Sequence, residues 1–159
     1  VITFNRALVI ENVNTLTDKV IKQTLENVVD ELMFLSPVGQ PDQWAGSVPK
    51  DYEPGKYKAN WQYSVGSPES DVIEEVDGSA AMEINCATGK KLKSQIKSQK
   101  TTIGKTHYFT NNVSYASAIE YGSAIHNPQA QTEPHAVAGL TIQHLPLALE
   151  RAKKKVLGK

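Results

Sequence analysis

The sequence predicts an α+β fold: an antiparallel β-sheet with a long N-terminal amphipathic helix packed on one face, a long aromatic and proline-rich loop, and a C-terminal helix. Three observations predict it. Apolar residues recur at helical spacing over residues 16–35, short segments of alternating polarity come next, and helical spacing returns over 140–156. At 159 residues the chain suits a single domain spanning 1–159.

The first element rests on Leu16, Val20, Ile21, Leu25, Val28, Val29, Leu32 and Leu35, with Lys19, Lys22, Gln23, Glu26, Asn27 and Asp30 opposite. Asn14 or Thr15 can cap its start, and Asp18 completes a capping-box pattern with Thr15. Ser36-Pro37 ends it, because the residue before proline avoids the helical region. Residues 4–11 suit a short preceding strand or helical turn.

Residues 36–58 form the long loop, punctuated by Pro37, Gly39, Pro41, Gly46, Pro49, Pro54 and Gly55. A loop of this length in a compact domain is usually functional. Its aromatics, Trp44, Tyr52 and Tyr57, suggest a segment that orders against a surface on assembly. Residues 60–66 alternate as a first strand, and 80–86 alternate through Met82, Ile84 and Cys86 as a second. The acidic stretch between them reads as a solvated hairpin tip. Residues 87–99 fit a short helix with Leu92 and Ile96 on one side. Residues 105–110 make a third strand, Asn111-Asn112 a turn, and 114–121 a short helix closed by Gly122. In the final helix, Pro146 must occupy the first turn or kink it.

Composition narrows function. Lys+Arg and Asp+Glu are both 17, giving no net charge, whereas dedicated nucleic-acid binders carry a basic excess. One cysteine, Cys86, rules out an intramolecular disulfide framework. No apolar run approaches the roughly 20 residues of a membrane helix, so no membrane partner is expected. Residues 1–6 lack a signal-peptide pattern, so synthesis in the cytoplasm is expected.

Catalytic and metal chemistry find little support. His107, His126, His135 and His144 lack metal-ligand spacing, and no cofactor or metal is expected. Cys86 on a strand reads as a buried structural thiol; as a nucleophile it would need a base, and His107 is the available partner for an enzymatic alternative. Thr88-Gly89-Lys90-Lys91 lacks the first glycine of a phosphate loop, position 84 being Ile. The lysines of 90–105 and Lys153–Lys155 serve solubility and helix-end compensation, or contact an acidic partner or DNA phosphates.

The aromatic residues are more informative. Trp61, Phe109 and Tyr115 suit a core. Trp44 and Tyr52, on a proline-rich loop, suit interface anchors. Tyr57, Tyr121, His126 and His135 join them as candidates for protein contact.

Two stretches carry a resemblance. One is Ser36-Pro37-Val38-Gly39-x-Pro41-x-x-Trp44, continuing through Pro49-x-x-Tyr52 to Gly55-x-Tyr57-Lys58-Ala59-Asn60-Trp61-Gln62. The other is Tyr108-Phe109-Thr110-Asn111-Asn112-Val113-x-Tyr115-Ala116-x-x-Ile119-Glu120-Tyr121-Gly122. Together, with Phe4-Asn5-Arg6 before the long helix, they resemble the neck or tail-completion (head–tail joining) proteins of tailed bacteriophages over residues 4–122. The resemblance implies a long helix on an antiparallel sheet and no enzymatic activity. It implies a homo-oligomeric ring, most often a hexamer, at the head–tail junction of the virion. The ring's neighbours would be the connector or stopper and the tail terminator or tail-tube proteins, with DNA passing transiently through its lumen. A terminator or stopper ring of the same junction is the alternative. After Gly122 the chain departs from the family: residues 123–138 are longer than usual, and Gly139-Leu140-Thr141-Ile142 is the nearest match to the expected continuation.

Overall fold

Arg6–Leu35 forms one unbroken helix of 30 residues, α1, in a computed structural model that describes residues 6–39, 41–43, 47–122 and 134–158. The helix stops at Ser36-Pro37 as expected, with the Ser36 N–H and hydroxyl both donating to the Leu32 carbonyl (3.0 and 2.6 Å). Its start corrects the sequence reading. Residues 6–11 are helical, and Asn14 and Thr15 lie inside the helix instead of capping it. No Gly or Pro occurs between Arg6 and Leu35 to break the chain.

The other elements are a 3₁₀ turn at Pro41–Gln43, α2 (Lys56–Ala59), β1 (Trp61–Val65), α3 (Ala87–Ser98), β2 (His107–Asn111), α4 (Ala116–Tyr121) and α5 (Val137–Leu157). Strands β1 and β2 pair antiparallel, from Trp61↔Asn111 to Val65↔His107. Asn111, expected in a turn, closes β2.

Helix α1 lies between α5 and α3. It runs antiparallel to α5: the Asn27 side-chain amide donates to the Ala148 carbonyl (2.8 Å), and Glu31 meets His144. Val137, Thr141, Ala148 and Ala152 form the buried stripe of α5. On the other side, Leu92 and Ile96 of α3 are buried, flanked by ion pairs from Lys93 to Asp30 and Lys97 to Glu26. Two of the clustered lysines therefore hold α3 to α1. Gly89 permits this approach: a β-carbon there would lie 2.5 Å from the Ile84 carbonyl oxygen and 3.2 Å from Met33 Cγ. Val28, Val29, Leu32 and Met33 join Tyr57, Trp61, Tyr63, Tyr115 and Ile119 in one core.

Two expectations for α5 and the sheet are corrected. Helix α5 begins at Val137 instead of Leu140, which puts Pro146 mid-helix and leaves only the second of the two placements expected for it. Pro146 is exposed, as is Ile142, whose carbonyl it leaves without a helical donor. Residues 80–86 make turns instead of a second strand, so the sheet has two strands among the described residues. Met82 has φ 63°, which interrupts an extended run, and the carbonyls of Ala80 and Glu83 bond a lysine side chain instead of a strand partner. The apolar alternation there arises from turns.

Candidate protein-interaction site

The two motif stretches meet in space. The Asn111 side-chain amide donates to the Tyr57 carbonyl (2.8 Å), and the Tyr52 and Tyr115 rings meet edge-on at 5.3 Å between centroids. Ser114 donates to the Asp51 carboxylate. Short polar side chains placed at strand and helix ends reach neighbouring backbone groups, and here they join segments far apart in the chain.

The first stretch organises the acidic segment C-terminal to it. Gly55, at φ 84°, brings its backbone against Asp77; a β-carbon would lie 2.2 Å from the Asp77 carbonyl oxygen. Lys58 is fully buried and donates to the carbonyls of Ala80 (3.0 Å) and Glu83 (2.8 Å). These bonds offset part of the cost of burying its charge. Asn60 accepts from Ile73 N–H (2.7 Å) and donates to the Ile73 carbonyl (2.8 Å). Gln62 donates to the Asp71 carbonyl, and Trp61 Nε1 donates to Ser36 Oγ. The acidic segment is thus fastened along α2 and β1 instead of forming a hairpin tip, while Glu69, Asp71, Glu74 and Glu75 stay exposed as expected. Glu74 pairs with Lys56, and Asp77 is 3 % exposed. Burial alone would raise the Asp77 carboxyl, but hydrogen bonds from Ser79 and Thr88 outweigh it and hold the group well below the usual carboxylate range.

The second stretch builds the start of α5. The Glu120 carboxylate accepts the N–H groups of Ala138 (2.9 Å) and Gly139 (2.8 Å), and the carbonyls of Ile119 and Glu120 accept from His135 and Ala136. Those amides lack helical acceptors, and a carboxylate there also complements the helix dipole.

Of the contact residues expected from sequence, Tyr57 is corrected: it is 3 % exposed and packs edge-on to Trp61 in the core. A one-turn helix carries it inward. Burial pushes its phenol well above the usual range. Tyr52 is half-buried, its hydroxyl donating to the Gly39 carbonyl. Tyr121 is 63 % exposed, and His135 is exposed. Trp44 and His126 lie outside the described residues. Tyr52, Tyr57 and His135 line one cleft of about 370 Å³ with Phe34, Val38 and Met82. Phe34 and Met82 are large, exposed and apolar at its edge, and sequence reasoning missed both. The positive φ of Met82 is uncommon for a non-glycine residue.

A second groove, of about 420 Å³, runs between α1, β2 and α5. Leu25, Val28, Leu32, Tyr108, Phe109, Ile142 and Leu145 line it. Ile142 and Leu145 stand exposed beside it. Both surfaces are lined largely by apolar side chains.

The Cys86–His107 alternative finds no geometry here. His107 Nδ1 meets the Tyr63 hydroxyl and Nε2 the Thr102 carbonyl. Cys86 lies at the N-cap of α3 instead of on a strand, its sulfur accepting from Gly89 N–H at 3.3 Å. Burial pushes its thiol up, away from the reactive thiolate. Among the described residues no three His, Cys, Asp or Glu side chains gather as a metal site, and no helix is long and apolar enough to cross a membrane.

No family model, no curated protein and no solved structure matches the chain.

Proposed function

We propose that the protein is a structural subunit of a tailed-phage neck: a ring at the head–tail junction that completes the tail end, couples it to the head connector and leaves a channel for DNA. The observation that carries this reading is the pair of motif stretches, whose residues resemble the neck family in the same order. Their direct contact through Asn111 and Tyr57 supports treating them as one unit. The exposed apolar edges at Phe34, Met82, Ile142 and Leu145 support a role in binding protein. A subunit of this kind is not an enzyme and needs no cofactor.

Mass photometry of the purified chain and mass spectrometry of purified phage particles test the proposal together. Closed oligomers, with the chain present in particles, are expected. A persistent monomer absent from particles would exclude it. In a particle map, density against the portal would reassign the subunit as a stopper, and density capping the last tube ring as a terminator.

A further inference from the structure

Among the described residues, the N-terminal part of α1 extends past the elements packed on the rest of the helix. The contacts between α1 and α5 run from Glu31–His144 through Asn27–Ala148 toward Lys22 and Lys155, and α5 ends at Leu157. The loop after α3 reaches α1 at Lys22 and Asp18, through the Gln99 carbonyl and Thr102. Beyond Asp18, every residue from Ala7 to Thr17 is exposed. This is an arm of about 15 Å at the rise of an α-helix. Its apolar side chains Val9, Val13 and Leu16, exposed by 39, 55 and 44 %, recur at i, i+4 and i+7, with Ile10 beside them. Between Ala7 and Thr17, Glu11 is the single charged residue.

The groove between α1, β2 and α5 is the chemical complement of this arm. Its lining contains no carboxylate, lysine or arginine. His107 has both ring nitrogens engaged, the Thr141 hydroxyl donates to the Val137 carbonyl, and Trp61 Nε1 is held by Ser36. It therefore favours an apolar helix face, the mode in which anchors at i, i+4 and i+7 enter an apolar groove. The arm cannot fill its own groove, because one wall of that groove is Leu25, Val28 and Leu32 of the same unbroken helix.

We infer that the arm of one copy, through Val9, Val13 and Leu16, docks in the Tyr108–Phe109–Ile142–Leu145 groove of a second copy. Arm and groove occupy different parts of one chain, so the contact is heterologous and each copy both gives and receives one arm. The inference deepens the ring reading above and rests on it only for closure of the contacts into a ring.

Two full-length variants, Val13→Cys and Ile142→Cys, test it when mixed under mild oxidation. A cross-linked dimer containing one of each is expected, with neither variant cross-linking alone. Val13→Asp and Ile142→Asp should each weaken self-association at least about tenfold, the effect of losing one buried aliphatic contact. Both substitutions fall at exposed positions, so an unchanged far-UV spectrum and melting temperature are expected. Cross-linking of Val13→Cys with itself would show arm pairing with arm and overturn the inference. So would a wild-type chain that stays monomeric at its highest soluble concentration, or oligomers indifferent to both Asp variants. That last outcome would leave the neck reading standing. Arm-in-groove oligomers absent from particles would remove the neck reading and keep this one.

Discussion

Asn111 at the end of β2 donates its side-chain amide to the backbone carbonyl of Tyr57, 2.8 Å away and 54 positions earlier in the chain. One hydrogen bond thereby joins the aromatic-loop motif to the strand–helix motif. Both residues sit at structural junctions: Asn111 ends a strand pair, and Tyr57 lies in the one-turn helix that leads into Trp61.

Replacing Asn111 with Ala leaves the Tyr57 carbonyl without this donor. A loss of about 1–2 kcal/mol in unfolding free energy is expected, the usual cost of a deleted partner in a partly buried site. Urea denaturation at pH 7 measures it, and the m-value should not change, because the folded architecture is retained.

Lys58→Met keeps the volume and removes the donor that fastens residues 80–83. The carbonyls of Ala80 and Glu83 lose their side-chain partner, at a cost of about 2 kcal/mol. Proteolysis under native conditions should then cut near Met82 sooner than in the parent. A cleavage pattern identical to the parent's would show that the clamp contributes nothing locally.

Asp77 gives the fold an acid-sensitive contact. Its folded-state carboxyl titrates below its ordinary value of 3.8, so the stability it contributes is present above that value and is lost as the pH falls below it. Unfolding free energy should therefore decline from about pH 5 downward. Asp77→Asn should be less stable than the parent at pH 7 and show a shallower decline in acid. Parallel curves for the two proteins would show that Asp77 is not the acid-sensitive group.

Glu120→Ala strips the first turn of α5 of the acceptor for Ala138 and Gly139. A loss of about 1–2 kcal/mol is expected, comparable to removal of a helix cap. Amide exchange of those two residues should quicken while the exchange of Ala152, at the other end of the helix, changes only with global stability.

The legible parts of this fold are those that periodicity controls. Leu25 to Leu35 bury one helical stripe, Ser36-Pro37 stops it, and Trp61–Val65 and Ala87–Ser98 form the elements their patterns predict, as does His107–Asn111 apart from its ends. The arm before Leu16 is not legible in the same way, because Val9 and Val13 continue the stripe without a core to bury it. Residues 80–86 mislead because alternation of Met82, Ile84 and Cys86 is also compatible with turns. What fixes those turns is Lys58, more than 20 positions away, and local pattern carries no trace of that contact. Tyr57 departs from expectation for a related reason: a one-turn helix inside a proline-rich segment turns a loop aromatic into the core. The place of Met82 at the cleft edge depends on the same long-range fastening.

Reconstruction of the head–tail junction of the phage particle tests the central proposal most directly. A closed ring of this chain between the connector and the tail is expected, with a central channel and each subunit touching its neighbour through different surfaces. A junction whose rings are fully accounted for by other proteins, with no density into which α1 and its β1–β2 pair fit, would contradict it.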